Sequence, residues 1–438
     1  MSGASVLLYS QTLHLPSTIE RERIERRFEP LLHQEPSLRT AVSYVQNKRI
    51  PFLRLYRYKE AFSLAFVNQM LDRLGASQTD VVLDPFAGMG TTLWGAMHRG
   101  LSSFGMERLP IAAFVAETLP KLRSLRPGEL TTAFNELRST VENAPQATIA
   151  MDVPLIKRAF DADVLERLRR WKGAIDRQAS PLRELLLLLF FSILEETSYT
   201  SNDGQFLRLK PNKRITYPDV AFERKLAVAE ADILLSTHWL DGDCGPIPKV
   251  FLADARDMNG LELPQRPTIM ITSPPYANRY DYTRSYCLEL CFHFVPNFNA
   301  LRALRHSILR SHIESRVNGE DVPPHPVVEE VIRNLNGQKL NNPRIPYMLV
   351  AYFVDMEKCI REWDRVLADG ARIAMVVDNV RFQGELVPVD LVLSEIAERH
   401  GFSVERILVA RYKGNSSQQM GRFGRVPVRE SIVMWRKR

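Results

Sequence analysis

The chain is poor in cysteine. Cys244, Cys287, Cys291 and Cys359 are the only four in 438 residues, and no two form a CxxC pair. That argues against a zinc knuckle or a disulfide framework and suits a reducing, cytoplasmic setting. Long apolar runs are lacking as well. The nearest, LRELLLLLFFSILEE at 182–196, is too short to cross a bilayer and runs into acids. It reads as a buried helix, and no membrane partner is expected. The opening MSGASVLLYSQTLHLPS has no basic n-region and no small-residue cleavage site behind a long apolar core, so it does not read as a signal peptide. No GxxxxGK[ST] occurs, which disfavours a P-loop. His306 and His312 lack a ligand-spaced acid or cysteine, so no metal is assigned. Internal repeats and low-complexity tracts are absent.

What is present is the balance of a soluble globular enzyme, 45% hydrophobic and 25% charged. The length suggests two or three domains, or one large domain carrying an insertion. The net charge of +7 hints at a polyanionic partner, though ordinary solubility charge explains it equally well.

The periodicity divides the chain. Residues 1–50 read as a helical extension, with STIERERIERRFEPLLHQ as an exposed helix. LYRYKEAFSLAFVNQMLDRLG (55–75) reads as an amphipathic helix closed by Gly75. DVVLDPFAGMGTTLWGAMHRG then gives a strand, a glycine loop and a helix, and SSFGMER gives a second strand ending in an acid. This is the start of a doubly wound sheet. Residues 121–245 are mainly helical, with one basic loop, NDGQFLRLKPNKR. The alternating pattern resumes at KVFLADARDM and PTIMITSPPY and continues to the last strand, VRESIVMWRK. The expected architecture is α/β. Residues 51–120 and 246–438 form the catalytic domain, and 121–245 is a helical insertion.

LDPFAGMGTT places Asp84 at a strand end. Gly88 and Gly90 then let the backbone turn and approach a ligand with no Cβ in the way. The helix starting near Thr91 points free N–H groups back at this loop. Glu107 ends the next strand about twenty residues later, where a carboxylate accepts both hydroxyls of a ribose. A structural β–α turn would look the same without that acid. Asp84 and Pro85 stand where a pyrophosphate-binding group would be expected. An acid there suits a cofactor with a positive amino group, which points to S-adenosyl-L-methionine.

TSPPYANRYDY raises a different question. Pro274 and Pro275 cannot donate to a ladder, so they end the strand and stiffen the loop after it. The Ser273 hydroxyl and the Pro274 carbonyl then converge as fixed acceptors. Two acceptors suit the two N–H donors of an exocyclic amine and draw off positive charge as its nitrogen attacks a methyl group. Tyr276 offers a face on which to stack a base flipped from a duplex. A plain proline-rich corner is the bland alternative.

DPFAGMGTT and TSPPY resemble motifs of the amino-methyltransferases that modify exocyclic amines of DNA bases. Ser-Pro-Pro-Tyr is the form typical of their cytosine-N4 members. The resemblance covers about 60–120 and 249–438. It implies a Rossmann-like seven-stranded methyltransferase sheet and S-adenosyl-L-methionine at the first loop. It implies Asp84, Pro85, Phe86, Gly88, Gly90 and Thr91 as cofactor-loop positions and Glu107 as the ribose acid. Asp254 of LADARDM matches the acid on the adenine side, and Phe62 of YRYKEAFS loosely matches a contact to the methionine moiety. Ser273, Pro274, Pro275 and Tyr276 take the catalytic positions. The implied partner is double-stranded DNA with its target base flipped; a cognate restriction endonuclease as a companion stays open. The cofactor loop precedes the catalytic loop here, the reverse of many cytosine-N4 enzymes. The 121–245 insertion falls where some relatives carry a target-recognition region.

Adenine N6, RNA, and a catalytically silent nucleic-acid-binding protein on the same scaffold stay open as alternatives. No Pro-Cys nucleophile for carbon-5 chemistry occurs. Two basic segments are candidate phosphate contacts or plain solvated surface. They are RALRHSILRSHIESR (302–316) and the stretch at 414–431 with Arg422, Arg425 and Arg429.

Overall fold

The computed structural model describes residues 17–202, 206–239, 245–315, 321–414, 421, 424 and 426–438. Arg316, Arg422 and Arg425 lie outside them, as does the 203–205 part of the basic loop.

The main sheet has eight strands. They are β1 (Leu32–Gln34), β2 (Val81–Asp84), β3 (Ser102–Glu107), β4 (Lys249–Leu252), β5 (Ile269–Thr272), β6 (Arg372–Asp378), β7 (Phe402–Lys413) and β8 (Val428–Lys437). Their order is β1-β7-β8-β6-β5-β2-β3-β4. β4, β3, β2, β5 and β6 run parallel, while β8 is antiparallel to both β6 and β7. From β2 the chain builds outward through β3 and β4, then returns to lay β5 on the other side of β2. That reversal is a topological switch point, and the crevice at the strands' carboxyl ends is where such sheets bind ligands. Seven strands make the expected Rossmann-like sheet. The eighth is β1, a three-residue edge strand lying parallel along Ile407–Val409 of β7.

β2 and β5 are buried along their whole length, as parallel strands covered on both faces must be. Val81, Leu83, Met270, Met375 and Val377 face one core. Val82, Ile269, Ile271, Ala374 and Val376 face the other.

The helices that frame the site are α1 (Ile19–Phe28), α2 (Leu64–Arg73), α3 (Thr91–His98), α4 (Pro110–Thr118), α5 (Glu129–Thr140), α6 (Ala162–Ile175), α7 (Leu182–Ile193), α8 (Pro218–Trp239) and α9 (Phe298–Ser307). α7 is the leucine-rich run. It is apolar all round because it is covered all round. Phe190 and Phe191 meet Phe222 of α8 and Phe114 of α4, while Trp171 of α6 stacks on Phe134 of α5 at 5.2 Å. This third core also takes in Trp94 and Met97 of α3, so the inserted helices share a core with the cofactor-loop helix.

The 55–75 stretch is not one helix. The Ser63 hydroxyl accepts the Phe66 N–H at 3.2 Å, so α2 starts only at Leu64. Before it, Leu55, Tyr56, Tyr58 and Phe62 turn inward on irregular backbone. α1 is not simply exposed either, because Ile24 and Phe28 are buried. The 302–316 run is helical only to Ser307; from Ile308 to His312 the chain is buried loop.

Candidate active site

A cavity of about 850 Å³ opens at the carboxyl ends of β2 and β5. It is lined by Phe62, Asp84, Pro85, Phe86, Gly88, Thr91, Glu107, Asp254, Ser273 and Pro275, so the fold brings ten of the thirteen expected positions to one place. Gly90, Pro274 and Tyr276 are not in the lining. The two loops are tied together at their roots. Thr272, just before Ser273, donates its hydroxyl to Asp84 Oδ1 at 2.7 Å, across 188 residues of sequence.

Asp84 also accepts the Phe86 N–H at 3.1 Å. Burial pushes its carboxyl up to about 6, against the pull of the Thr272 and Thr92 hydroxyls and the Phe86 N–H. Glu107 accepts N–H donors from Gly88 at 2.9 Å and from Arg108 and Leu109, each at 2.8 Å. Burial pushes it to about 7 even so. Three backbone donors fix its place and still leave lone pairs for a ligand's hydroxyls. Asp254 differs. Burial would raise its carboxyl, but Arg256 grips both oxygens, at 2.9 and 2.6 Å, and holds it below the usual range.

Gly88 and Gly90 have separate roles. Gly88 has φ +53°, and a Cβ there would sit 3.0 Å from the Tyr58 ring, so side-chain freedom is given up to bring the loop onto the cavity wall. Gly90 has φ +87° at the cap of α3. A Cβ there would lie 3.0 Å from the Cβ and 3.2 Å from the Cα of Ala116 on α4. Its role is to let α3 and α4 close up, one step behind the cavity.

Thr91 shows what the cavity lacks from within. It is buried and lines the cavity, yet its hydroxyl has no partner among the described residues. A buried hydroxyl is rarely left unmatched, so a polar group of a ligand belongs there. Apolar walls at Phe62, Phe86 and Leu309 face this polar floor. That mixture fits S-adenosyl-L-methionine, which carries an adenine, a ribose and a charged amino acid.

On the catalytic side the contacts are longer. The Ser273 hydroxyl reaches the Val376 carbonyl and the Tyr276 hydroxyl, both at 3.3 Å. Tyr276 lies against a buried charge cluster instead of the cavity. Its hydroxyl is 3.4 Å from Glu430 Oε1, and Lys413 Nζ stands 5.8 Å from its ring centre. Lys413 also bonds Glu430 at 2.6 Å and Asp378 at 3.2 Å, and Arg411 pairs with Glu430. Burial, with Glu430 and Asp378 beside it, raises the Tyr276 phenol well above its usual value. Burial likewise pushes Asp378 to about 7, and one of its oxygens has no partner among the described residues.

Tyr58, Glu60 and Tyr282 also line the cavity and were not singled out from sequence. The signal was the tyrosine density of YRYKEAF and NRYDY, too high for a solvated helix or loop. These side chains present an apolar body and a polar tip, which suits a half-wet wall. Burial raises the Glu60 carboxyl, and the Tyr286 hydroxyl bonds it at 2.5 Å.

The basic-segment expectations need correction. Arg429 is no phosphate clamp: Asp390 and Glu25 hold it inside the protein, at 2.6 and 2.9 Å. Arg305 and Arg310 of the 302–316 run are likewise held by carboxylates. Among the described residues no cluster of side chains suits a metal ion, and no helix is long and apolar enough to cross a membrane.

The sheet order, the switch-point cavity and the acid-lined glycine loop define a methyltransferase of the Rossmann-like class. No family model matches the chain. Curated relatives do. It is 32% identical to the Type II methyltransferase M.AvaI of a Nostoc species, covering 94% of this chain and 92% of that one. It is 30% identical to the Type II methyltransferase M.BsoBI of Geobacillus stearothermophilus, covering 96% and 92%. A more distant relative is the Type II methyltransferase M.MvaI of Kocuria varians, at 21% identity over 72% of this chain and 74% of that one. Among solved structures, TrmN from Thermus thermophilus aligns over 90% of this chain and 53% of its own, at 11% identity and a TM-score of only 0.30. The chain belongs to the Type II methyltransferases, and its methyl donor is S-adenosyl-L-methionine.

Proposed function

We propose that this protein methylates N4 of cytosine in double-stranded DNA, with the target base turned out of the helix into the mouth of the cavity. The observation that carries this reading is the Ser-Pro-Pro-Tyr loop at the end of β5. It shares one cavity with the glycine loop of β2 and is bonded to it through Thr272 and Asp84. The kinship with Type II methyltransferases supports DNA as the substrate, and a cytoplasmic protein with a cognate restriction endonuclease as companion is the reading that goes with it.

The bound cofactor supplies an electrophilic methyl group on a sulfonium. The chain's own part is placement and charge. The Ser273 hydroxyl donates a hydrogen bond to the Val376 carbonyl, which leaves its lone pairs for one hydrogen of the target amine. The Pro274 carbonyl takes the other. Both acceptors stabilise the positive charge that grows on the amine nitrogen. Tyr276 swings from its loose contacts to stack on the base. Glu107 takes the ribose hydroxyls, Asp84 faces the amino group through the loop, and Asp254 borders the adenine side. Phe62, Pro85, Phe86, Gly88, Gly90 and Thr91 shape the rest of the cradle. The 121–245 insertion serves target recognition, with its basic hairpin beside the catalytic loop.

The test is to incubate the protein with labelled S-adenosyl-L-methionine and a mixture of DNA and RNA, then identify methylated nucleosides by mass spectrometry. N4-methylcytosine in DNA is the expected product. N6-methyladenine or a methylated ribonucleoside would keep the fold and the cofactor but overturn the substrate. Cofactor binding with no transfer to any nucleic acid would bring the silent-scaffold alternative forward.

A further inference from the structure

Beside the main cavity lies a second one of about 540 Å³, bordered by Phe206, Arg279, Asp281, Arg284, His312 and Glu314. The walls of the two cavities adjoin along the chain. Tyr282 and Leu309 belong to the first, while their near neighbours Asp281, Arg284 and His312 belong to the second.

Its arginines differ from the others nearby. Arg256 holds Asp254 and Asp355, Arg305 holds Asp281 and Glu314, and Arg310 holds Asp321 and Asp355. Arg279 and Arg284 have no carboxylate partner among the described residues. Their guanidinium groups rest on aromatic faces, Arg284 at 4.5 Å from the centre of Phe206 and Arg279 at 5.7 Å from that of Phe382. The Arg279 Nε is buried with nothing to donate to among the described residues. The two acids in the lining share Arg305, which leaves one negative charge against the two positive charges of Arg279 and Arg284. Two cations on apolar platforms, with their donors unspent, describe an anion site.

Two further observations point to a ligand. His312 is 2% exposed and borders the cavity, and its Nδ1 has no partner among the described residues, while its Nε2 is engaged by the Arg305 carbonyl at 3.2 Å. Arg279 also has φ +71°, which a non-glycine residue adopts at a cost. Its N–H bonds the Ser311 carbonyl at 3.1 Å, which fixes the strained turn three residues past Tyr276. A fold that holds an arginine in a costly conformation and leaves its guanidinium unpaired is using that guanidinium for something outside itself.

We propose that Arg279 and Arg284 bind a backbone phosphate of the target strand next to the extruded nucleotide, with Phe206 of the inserted hairpin and His312 closing the site. The proposal rests on DNA being the substrate. A planar guanidinium grips two phosphate oxygens at once, and a phosphate held here fixes the sugar whose base enters the neighbouring cavity.

The test is direct binding of a labelled duplex of mixed sequence to the full chain across a salt series, with S-adenosylhomocysteine present. Arg279→Gly is the cleaner variant, because glycine keeps the left-handed turn while removing the side chain. Arg284→Ala and the double variant complete the set, and unchanged cofactor affinity shows that each is folded. Each single variant is expected to weaken binding about tenfold, and the double variant, which frees the one phosphate altogether, to lower the slope of log affinity against log salt by about one. Variants that bind with the wild-type affinity and slope overturn the proposal. A loss confined to one sequence, with the slope unchanged, overturns it too, because it would mark a base reader. A wild-type chain that binds no duplex at all overturns the DNA reading and this site with it.

Discussion

The two halves of the main cavity are built differently. On the cofactor side each carboxylate is already answered: Glu107 by three backbone donors, Asp84 by Thr272 and the Phe86 N–H, Asp254 by Arg256. On the catalytic side the contacts are loose or missing. Ser273 and Tyr276 have bonds of 3.3 and 3.4 Å, and behind them or in the neighbouring cavity Asp378, His312 and Arg279 keep buried atoms without partners among the described residues. The carboxylates of the first half are held in place before any ligand arrives, while the Thr91 hydroxyl beside them waits for one. The second is completed by one, as catalytic hydrogen bonds often are. A preformed cradle loses little freedom on binding its small cofactor, whereas a nucleic-acid site must wait for a base to be extruded into it.

Mutations should separate the halves. Ser273→Ala removes one of the two acceptors proposed for the developing charge. It is expected to cost about 10²–10³ in kcat while cofactor affinity holds, measured by titration calorimetry beside single-turnover assays. Normal turnover would remove the acceptor role. Gly90→Ala breaks the cofactor half. Its left-handed backbone and the 3.0 Å approach to Ala116 predict a loss of about 1–3 kcal/mol in urea unfolding, with weaker cofactor binding. Tyr276→Ala is expected to weaken target binding by about 1–3 kcal/mol, the scale of one stacked base, without touching cofactor affinity. Equal affinity and rate in that variant would argue that the ring never leaves the charge cluster.

A smaller effect tests the cofactor acids. Hydroxyls donated to Glu107 favour its ionised form, so binding must pull its carboxyl down from about 7 and release a proton. Cofactor affinity should then rise as pH climbs toward 7 and level off above it, with proton release visible as a buffer-dependent heat. For the free protein the sign is opposite. A carboxyl raised in the fold binds more protons there than in the unfolded chain, so stability falls as pH rises from the ordinary value of 4.5 to about 7, then stays flat. The smallest effect should come from Tyr276→Phe. The lost hydroxyl made only long contacts, and less than a threefold change in rate is expected from a hydrogen bond worth well under about 1 kcal/mol.

The cofactor loop and the end of the catalytic strand were legible because their constraints are local. Glycine at left-handed φ, proline at a strand end and an acid closing a short strand each announce themselves within a few residues. What could not be read depends on partners far away in the chain. Arg429 looked like surface charge until the fold brought Glu25 to it across 404 residues. Asp254 gave no hint that Arg256 and Asp355 would join it in a single network. The Tyr58 wall was hidden because residues 55–62 match a helical period they do not adopt. The fold class followed from the alternating pattern, but β1 did not, since three residues reading Leu-His-Gln carry no strand signal.

That small strand has a consequence for handling the protein. Strand β7 runs for twelve residues, and its outer side at Ile407–Val409 pairs with β1, with the Glu35 N–H bonding the Val409 carbonyl just beyond it. Trimming the chain back past Gln34 would uncover a row of unpaired amide and carbonyl groups beside a stretch of buried aliphatic residues. Two trimmed molecules could then zip together edge to edge. A shortened version made for crystallisation or as a fusion partner would thus trade solubility for length, even with every catalytic group in place.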